Sequence, residues 1–555
     1  MSLANLFRKK PVSSIGVDEA ESHGAGLNKV LTVRDLTFFG IAAIIGGGTF
    51  SAIGNACFAG GPAVLFLYII CAIACGFTAM CYAEFASRVP VAGSAYTYAY
   101  VSFGELFAWI IGWALLMEYS IGNIYIAFSW SGYFTNLLPQ GAIPEWLTIN
   151  YTAAHHAFLS LKPSEQLNEG ALAWMNAPSV GGLKIIFDLP AVVINALITL
   201  LVFVGTKESR NLSNIMVMVK LLIIVLVIIV GIFHVDIDNW TPFMPHGFTG
   251  VMAGVSAVFF AYIGFDAVST LAEESKNPQR DLPRGMIYSL IICTVIYVIL
   301  SLVLTGMVSY ELLGVSDPLA EIFKLKEVKW MLFVVSIAAV VAMTSVLLVF
   351  QMGQPRIWMS MSRDGLLPKK FASIHPKYKT PGFSTIITGL VVGIPIFFTD
   401  ENFVLDFTSI GTLFAFVLVC GGVLMLPRNT SLKEKGKFKM PYINAKWIVP
   451  TVTLVSFVFI TMYASDSIFN FDEKTKIKTL NYPMIIFYAF WVLIAGLSFL
   501  KNYSLIPVLG LLSCCYLLTG MGWTNWLMFS VWLLIGLVVY FLYGYRKSKL
   551  AKTTN

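Results

Sequence analysis

Long apolar runs separated by polar connectors recur along the chain from about residue 37 to 543. They fall at roughly 37–59, 63–86, 104–130, 190–206, 212–233, 250–273, 285–308, 330–356, 383–399, 404–425, 447–464, 482–500, 504–520 and 524–543. Crossing the hydrocarbon core of a bilayer as a helix takes roughly 20 residues, and these runs are of that order. They predict fourteen membrane-spanning helices, with twelve as the alternative count. The runs lack the two-residue alternation and short length of barrel strands, and backbone groups left unpaired in lipid cost several kcal/mol each. An all-α integral membrane protein is therefore expected.

Two runs are interrupted in their middle. The first reads Gly40-Ile-Ala-Ala-Ile-Ile45-Gly46-Gly47-Gly48-Thr49-Phe50-Ser51. Each glycine costs about 1 kcal/mol of helix propensity relative to alanine, and the missing side chains let a ligand approach the backbone. The sixth reads Phe259-Phe260-Ala261-Tyr262-Ile263-Gly264-Phe265-Asp266, with a glycine and a carboxylate in apolar sequence. The interrupted runs come first in two successive sets of five, as expected for inverted repeats whose discontinuous helices face each other at the membrane midplane. Close helix packing through small residues is the alternative reading of the glycines.

A broken helix exposes N–H groups at one half-helix start and carbonyl groups at the other half's end. A zwitterionic amino acid needs both. N–H groups near Gly47, Gly48 and Thr49 are expected to hold the substrate carboxylate, and carbonyls near Ile45, Phe260, Ala261 and Ile263 its ammonium.

Charges within apolar runs cost on the order of 3 kcal/mol unless paired or hydrated. Lys220 lies too deep in the fifth run to reach the interface easily, so it is the candidate for proton exchange; a structural hydrogen bond to unwound carbonyls is the alternative. Glu118, in the third run, lines the cavity, takes part in proton movement, or is a partnered structural carboxyl. Asp266 reads as a cap or brace for the second half of the sixth run, and Glu84 as a group reaching the interface. Phe350 and Gln351 combine bulk with an amide in the eighth run and are expected to face the substrate.

Composition agrees with a lipid environment: 57% of the 555 residues are hydrophobic and 12% charged. The net charge of +7 is distributed by topology. With the N-terminus inside, 28 of the 37 Lys and Arg residues fall in inner segments, counting Arg356 at the inner end of the eighth run, 8 in outer ones, and Lys220 deep within a run. That asymmetry follows the positive-inside rule and removes the case for nucleic-acid binding. The first thirty or so residues carry no apolar core of a signal peptide. All eight cysteines lie in apolar runs and read as small hydrophobic residues. Residues 134–189 are expected to form an external cap; its adjacent His155 and His156 do not make a metal site by themselves. Residues 1–36, 427–446 and 544–555 read as solvated cytoplasmic segments.

The stretches YAEFASRVPVAGSAYTYAY (82–100), FFAYIGFDAVSTLAEESKNPQRDLP (259–283), SRDGLLPKKF (362–371), IGTLFAF (410–416) and WLLIGLVVYFLYG (532–544) closely resemble the cationic amino acid transporter branch of the amino acid–polyamine–organocation permeases. The resemblance spans about residues 37–546. It implies the five-plus-five inverted-repeat transporter fold: a first repeat over 37–233, a second over 234–426, then a linker and four further spans to 543. It implies substrate at the breaks of spans one and six. It also places Lys220 where sodium-coupled relatives bind their ion, which favours sodium-independent, proton-linked transport. Two departures stand out. Gly47 occupies a position where the family often has Thr, Ser or Ala, so a hydroxyl contact to substrate is missing. Fourteen spans match the animal cationic carriers, whereas bacterial members often have twelve.

The expected partners are thus an amino acid, a proton and membrane lipid, with no cofactor, no metal and no nucleic acid, in a plasma or bacterial inner membrane. The alternatives are an uncoupled facilitator or exchanger and an amino acid sensor. No HExxH, GxSxG or phosphate loop supplies enzyme chemistry.

Overall fold

The structure, a computed structural model, describes residues 6–11, 27–46, 48–139, 141–159, 169–181, 183–247, 251, 255–315, 318–399, 401–426, 438–463, 469–472 and 477–553. The apolar runs fold as helices. The first is split into α1 (Val33–Ile44), a π-helical turn (Gly48–Ala52) and α2 (Ile53–Gly60). Then come α3 (Val64–Arg88), the short α4 (Ala95–Ser102) and α5 (Glu105–Asn136). Next are α6 (Tyr151–Leu159), α7 (Glu169–Asn176), α8 (Leu189–Val204) and α9 (Thr206–Ile232). The sixth run is split into α10 (Val255–Tyr262) and a 3-10 helix (Phe265–Glu274). The second set continues with α11 (Pro278–Met307), the short α12 (Pro318–Leu325), α13 (Lys329–Arg363), α14 (Gly382–Ile396) and α15 (Glu401–Met425). The last four are α16 (Ile448–Tyr463), α17 (Tyr482–Lys501), α18 (Leu505–Thr519) and α19 (Trp523–Val539).

The local chemistry that starts these helices is readable. Thr32 and Asp35 form a reciprocal capping box at α1, with the Thr32 N–H 2.9 Å from the Asp35 carboxylate. Asp188 caps α8 by accepting the Ala191 N–H at 3.0 Å, with Pro190 in the first turn, where its missing N–H costs nothing.

Packing follows the repeat. Each of three helices of the first set packs against its counterpart in the second: α3 on α11, α5 on α13 and α8 on α14. The all-α five-plus-five transporter fold predicted from sequence is the fold observed, with spans one and six broken. Among the described residues, seven helices are long and apolar enough to cross a membrane outright, and five shorter apolar helices accompany them. Side chains such as Leu222, Leu454 and Leu500 are exposed on the bundle's outer surface, where lipid replaces water as the solvent.

Three features were not expected. Two small antiparallel ribbons lie in the connectors, pairing Ser179–Val180 with Leu183–Lys184 and Phe469–Asp472 with Ile477–Leu480. The segment from Phe7 to Lys10 is docked rather than solvated: the Glu105 N–H donates to the Arg8 carbonyl at 3.0 Å, and the Lys10 ammonium lies 2.6 Å from the Asp364 carboxylate. Residues 438–445 of the linker are likewise held by the bundle: the Ser87 hydroxyl donates to the Phe438 carbonyl at 2.9 Å, and the Ala445 N–H donates to Tyr503 at 2.9 Å. All eight cysteines are free.

Candidate functional site

The two breaks meet at the centre of the bundle. The helical ladder of α1 stops at Ile44, and Ile45 is extended at φ −82° and ψ 95°. Gly48 then passes so close to α10 that a Cβ there would fall 2.5 Å from the Ala261 Cα, a distance no side chain tolerates. On the other element, Gly264 adopts φ +114°, in the left-handed region that favours glycine, and a Cβ there would meet the Ala43 Cβ at 2.6 Å. Glycine is therefore required twice for the broken spans to cross.

The side chain of Lys220, on α9, is fully buried and enters the unwound end of α1. Its ammonium donates to the carbonyls of Ile41 and Ala42 at 3.1 Å each and of Ile45 at 2.7 Å, and contacts the Ser345 hydroxyl of α13 at 2.9 Å. Of these, the Ile41 carbonyl also accepts the Ile45 N–H at 3.0 Å, the last bond of the α1 ladder, while the Ala42 and Ile45 carbonyls lie where that ladder has run out. A second tie comes from Tyr297 on α11. Its hydroxyl lies 2.9 Å from the Ile44 carbonyl and 3.0 Å from the Ala261 carbonyl, and accepts from the Thr49 hydroxyl at 3.0 Å. One phenolic proton serves either carbonyl, so this group sits between the two breaks and can donate to one at a time.

The predicted substrate residues are thus distributed unevenly. Ile45, Gly48, Thr49, Ala261 and Ile263 are brought together at the crossing. The Ile45 carbonyl is occupied by Lys220 and the Ala261 carbonyl faces Tyr297, although a carbonyl oxygen keeps a second lone pair. The Thr49 N–H donates to the Gly46 carbonyl at 3.0 Å. Gly47 lies outside the described residues; Phe260 lies in α10, next to Ala261.

Glu118 is buried on α5 beside Thr412 and within electrostatic reach of Asp266, whose carboxyl lies against the first N–H groups of the 3-10 helix. Asp266 lies in the first turn of that helix, but Gly264 holds the N-cap position and both Asp266 carboxylate oxygens are buried without a hydrogen-bond partner among the described residues, so the expected cap is not formed. The Phe350 ring stacks on Tyr119 of α5 with centroids 5.3 Å apart and closes over Gly122. Gln351 departs from expectation, because its amide donates to Asn195 on α8 at 2.6 Å and is turned toward that helix.

Sequence reasoning passed over Tyr297, Ser345 and the buried pair Arg356–Glu274. A hydroxyl in an apolar run carries no charge to mark it. The pair joins α13 to the end of the 3-10 helix through two hydrogen bonds of 2.7 and 2.6 Å, with side-chain exposures of 1% and 0%.

Residues 31–497 match the family described as "Amino acid permease", and residues 503–548 match the "C-terminus of AA_permease". The chain is 36% identical to the branched-chain amino acid permease BcaP of Bacillus subtilis over 98% of this chain and 99% of that one. It is also 36% identical to the methylthioribose transporter of the same organism, over 99% and 100%. With the vacuolar cationic amino acid transporter 2 of Arabidopsis thaliana it shares 31% identity over 99% of this chain and 93% of that one.

Proposed function

Because the chain belongs to the amino acid permease family and is a membrane transporter rather than an enzyme, we propose that it carries amino acids by alternating access, coupled to a proton through Lys220. The observation that carries this reading is the buried ammonium filling the unwound end of α1, at the point where α1, α9 and α13 meet.

The chemistry follows from counting donors. A protonated lysine offers three N–H groups and no lone pair. It holds the carbonyls of Ile41, Ala42 and Ile45, and with them the shape of the break. After proton loss the amine has two donors and one acceptor, so one carbonyl is released, while the Ser345 hydroxyl, which now donates to Ala342 at 2.6 Å, can turn to donate to the amine. The break then has two arrangements that differ by one proton, the condition for coupling a proton to a conformational change. The substrate carboxylate takes the N–H groups at the start of the π-helical turn, near Gly47, Gly48 and Thr49, with the Thr49 N–H giving up its bond to the Gly46 carbonyl. The ammonium takes the remaining lone pairs of the Ile45, Phe260, Ala261 and Ile263 carbonyls. In this reading Phe350 bounds the side-chain space, Glu118 lines it, and Gln351 supports the wall through Asn195. The basic excess supports a cytoplasmic position for both termini, and a plasma or bacterial inner membrane is the reading that goes with it.

The equal identity to a methylthioribose carrier gives a second reading, a neutral thiosugar cargo. It leaves the paired half-helix ends, suited to opposite charges, without a purpose. The test is uptake of labelled alanine, leucine, arginine and methylthioribose into proteoliposomes with and without an inward proton gradient, for the native chain and Lys220→Ala. Gradient-driven amino acid uptake that the variant loses is the expected result. Equal uptake under all conditions would leave an uncoupled facilitator, and uptake of methylthioribose alone would overturn the amino acid assignment.

A further inference from the structure

A cavity of 410 Å³ opens away from the breaks, where α3 and α15 end and α18 begins. One wall is charged and polar: Arg88, the last residue of α3, with Lys439 of the linker and Ser504 at the N-cap of α18. The other is apolar, made by Val423, Leu424 and Pro507.

The linker is strung across this opening by specific bonds. Glu84 uses one carboxylate oxygen to pair with Arg88 and the other to accept the Met440 N–H at 2.8 Å. The Leu505 N–H donates to the Ile443 carbonyl at 2.8 Å. Glu84 is thereby occupied, and with Arg88 and Lys439 present the cavity keeps a net positive charge. The start of the fifteen-residue α18 adds the partial positive charge of its N-terminus. The Ser504 hydroxyl makes no capping bond to that helix, and its oxygen is buried without a hydrogen-bond partner among the described residues.

We propose that this cavity binds the headgroup phosphate of an anionic phospholipid of the inner leaflet. The charged wall takes the phosphate: Lys439 as a point charge, the free edge of the Arg88 guanidinium, and the Ser504 hydroxyl as a donor. The apolar wall takes the first segment of an acyl chain. The cavity's place at the helix ends, on the face that the basic excess assigns to the cytoplasm, puts it at headgroup depth, where anionic lipid is concentrated and basic pockets between helices recruit it. A soluble phosphate would use the charged wall and leave the apolar one without a partner.

The full chain is purified from bilayers of phosphatidylcholine with phosphatidylglycerol, and retained lipid is counted by native mass spectrometry. Lys439→Glu, Ser504→Ala and, as a control, Lys377→Glu on another exposed loop are compared, with melting in phosphatidylcholine alone as the check on folding. Retained phosphatidylglycerol is expected to fall about fivefold or more in Lys439→Glu, by a smaller factor in Ser504→Ala, and not in Lys377→Glu. Ser504→Ala leaves every charge in place, so it tests the site even if Lys439→Glu folds poorly. Equal loss in all three variants, or no loss in either cavity variant, would overturn the site. Displacement of the lipid by inorganic phosphate would overturn the assignment to lipid and make the ligand a soluble anion.

Discussion

The ammonium nitrogen of Lys220 lies 2.7 Å from the carbonyl oxygen of Ile45, the first residue past the end of α1. A cation that would be costly anywhere else in the hydrocarbon core is here solvated by the carbonyls at the end of the broken helix. Break and lysine therefore depend on each other, and each substitution at this point is expected to affect both substrate and proton.

Lys220→Arg keeps a positive donor but fixes its charge, since a guanidinium does not lose its proton in proteins. If titration is the role of this residue, the arginine variant folds and still exchanges internal for external substrate, while its uptake no longer responds to an inward proton gradient. Counterflow and gradient-driven uptake, measured on the same proteoliposomes, separate the two. A gradient response of native size in Lys220→Arg would remove proton exchange from this residue.

Gly48→Ala puts a methyl group 2.5 Å from the Ala261 Cα, against backbone that cannot rotate away. Overpacking of this kind costs about 1–3 kcal/mol, and here it also pushes the two breaks apart. Uptake is expected to fall at least tenfold, with a lowered melting temperature. Gly421→Ala, whose added Cβ would meet only the Phe103 ring at 3.5 Å, serves as the neutral control.

The parts of this site that were legible in sequence are those that break a pattern. Three glycines in an apolar run, a glycine two residues before an aspartate, and one lysine in a row of aliphatic residues each violate what lipid demands. Tyr297 violates nothing. It is one of 23 tyrosines, and its partner Ile44 is 253 residues away in the chain. Phe350 and Gln351 show a different limit: adjacent positions on a helix are about 100° apart, so the two readily turn to different neighbours. The structure gives Phe350 to Tyr119 and Gln351 to Asn195. The fold itself was more legible than the site, because the length of an apolar run is a local property and the crossing of two breaks is not.

Tyr297→Phe removes one hydroxyl from between the Ile44 and Ala261 carbonyls and from the Thr49 hydroxyl. Loss of a buried hydrogen bond of this type costs about 1–3 kcal/mol because its partners are left unpaired. Since those partners belong to both breaks, the expected loss appears in the maximal rate of uptake more than in the half-saturating substrate concentration. An unchanged rate with intact expression would make the tyrosine a packing residue only.

The Arg356–Glu274 pair links α13 to the end of the 3-10 helix with both side chains almost wholly excluded from solvent. The Arg356 guanidinium also donates to the Met352 carbonyl one turn back, so its direction is set by its own helix. Removing one member leaves the other as an uncompensated buried charge, which costs about 3–5 kcal/mol, whereas replacing both by apolar residues of similar volume is often close to neutral. Arg356→Met and Glu274→Leu are therefore each expected to lower thermal stability in detergent by more than the double variant does. The double variant restores stability but not transport if the pair also fixes how the second half of the sixth span sits against α13. Uptake measured beside the melting curve distinguishes the two roles: recovery of both in the double variant would make the pair a structural ion pair alone.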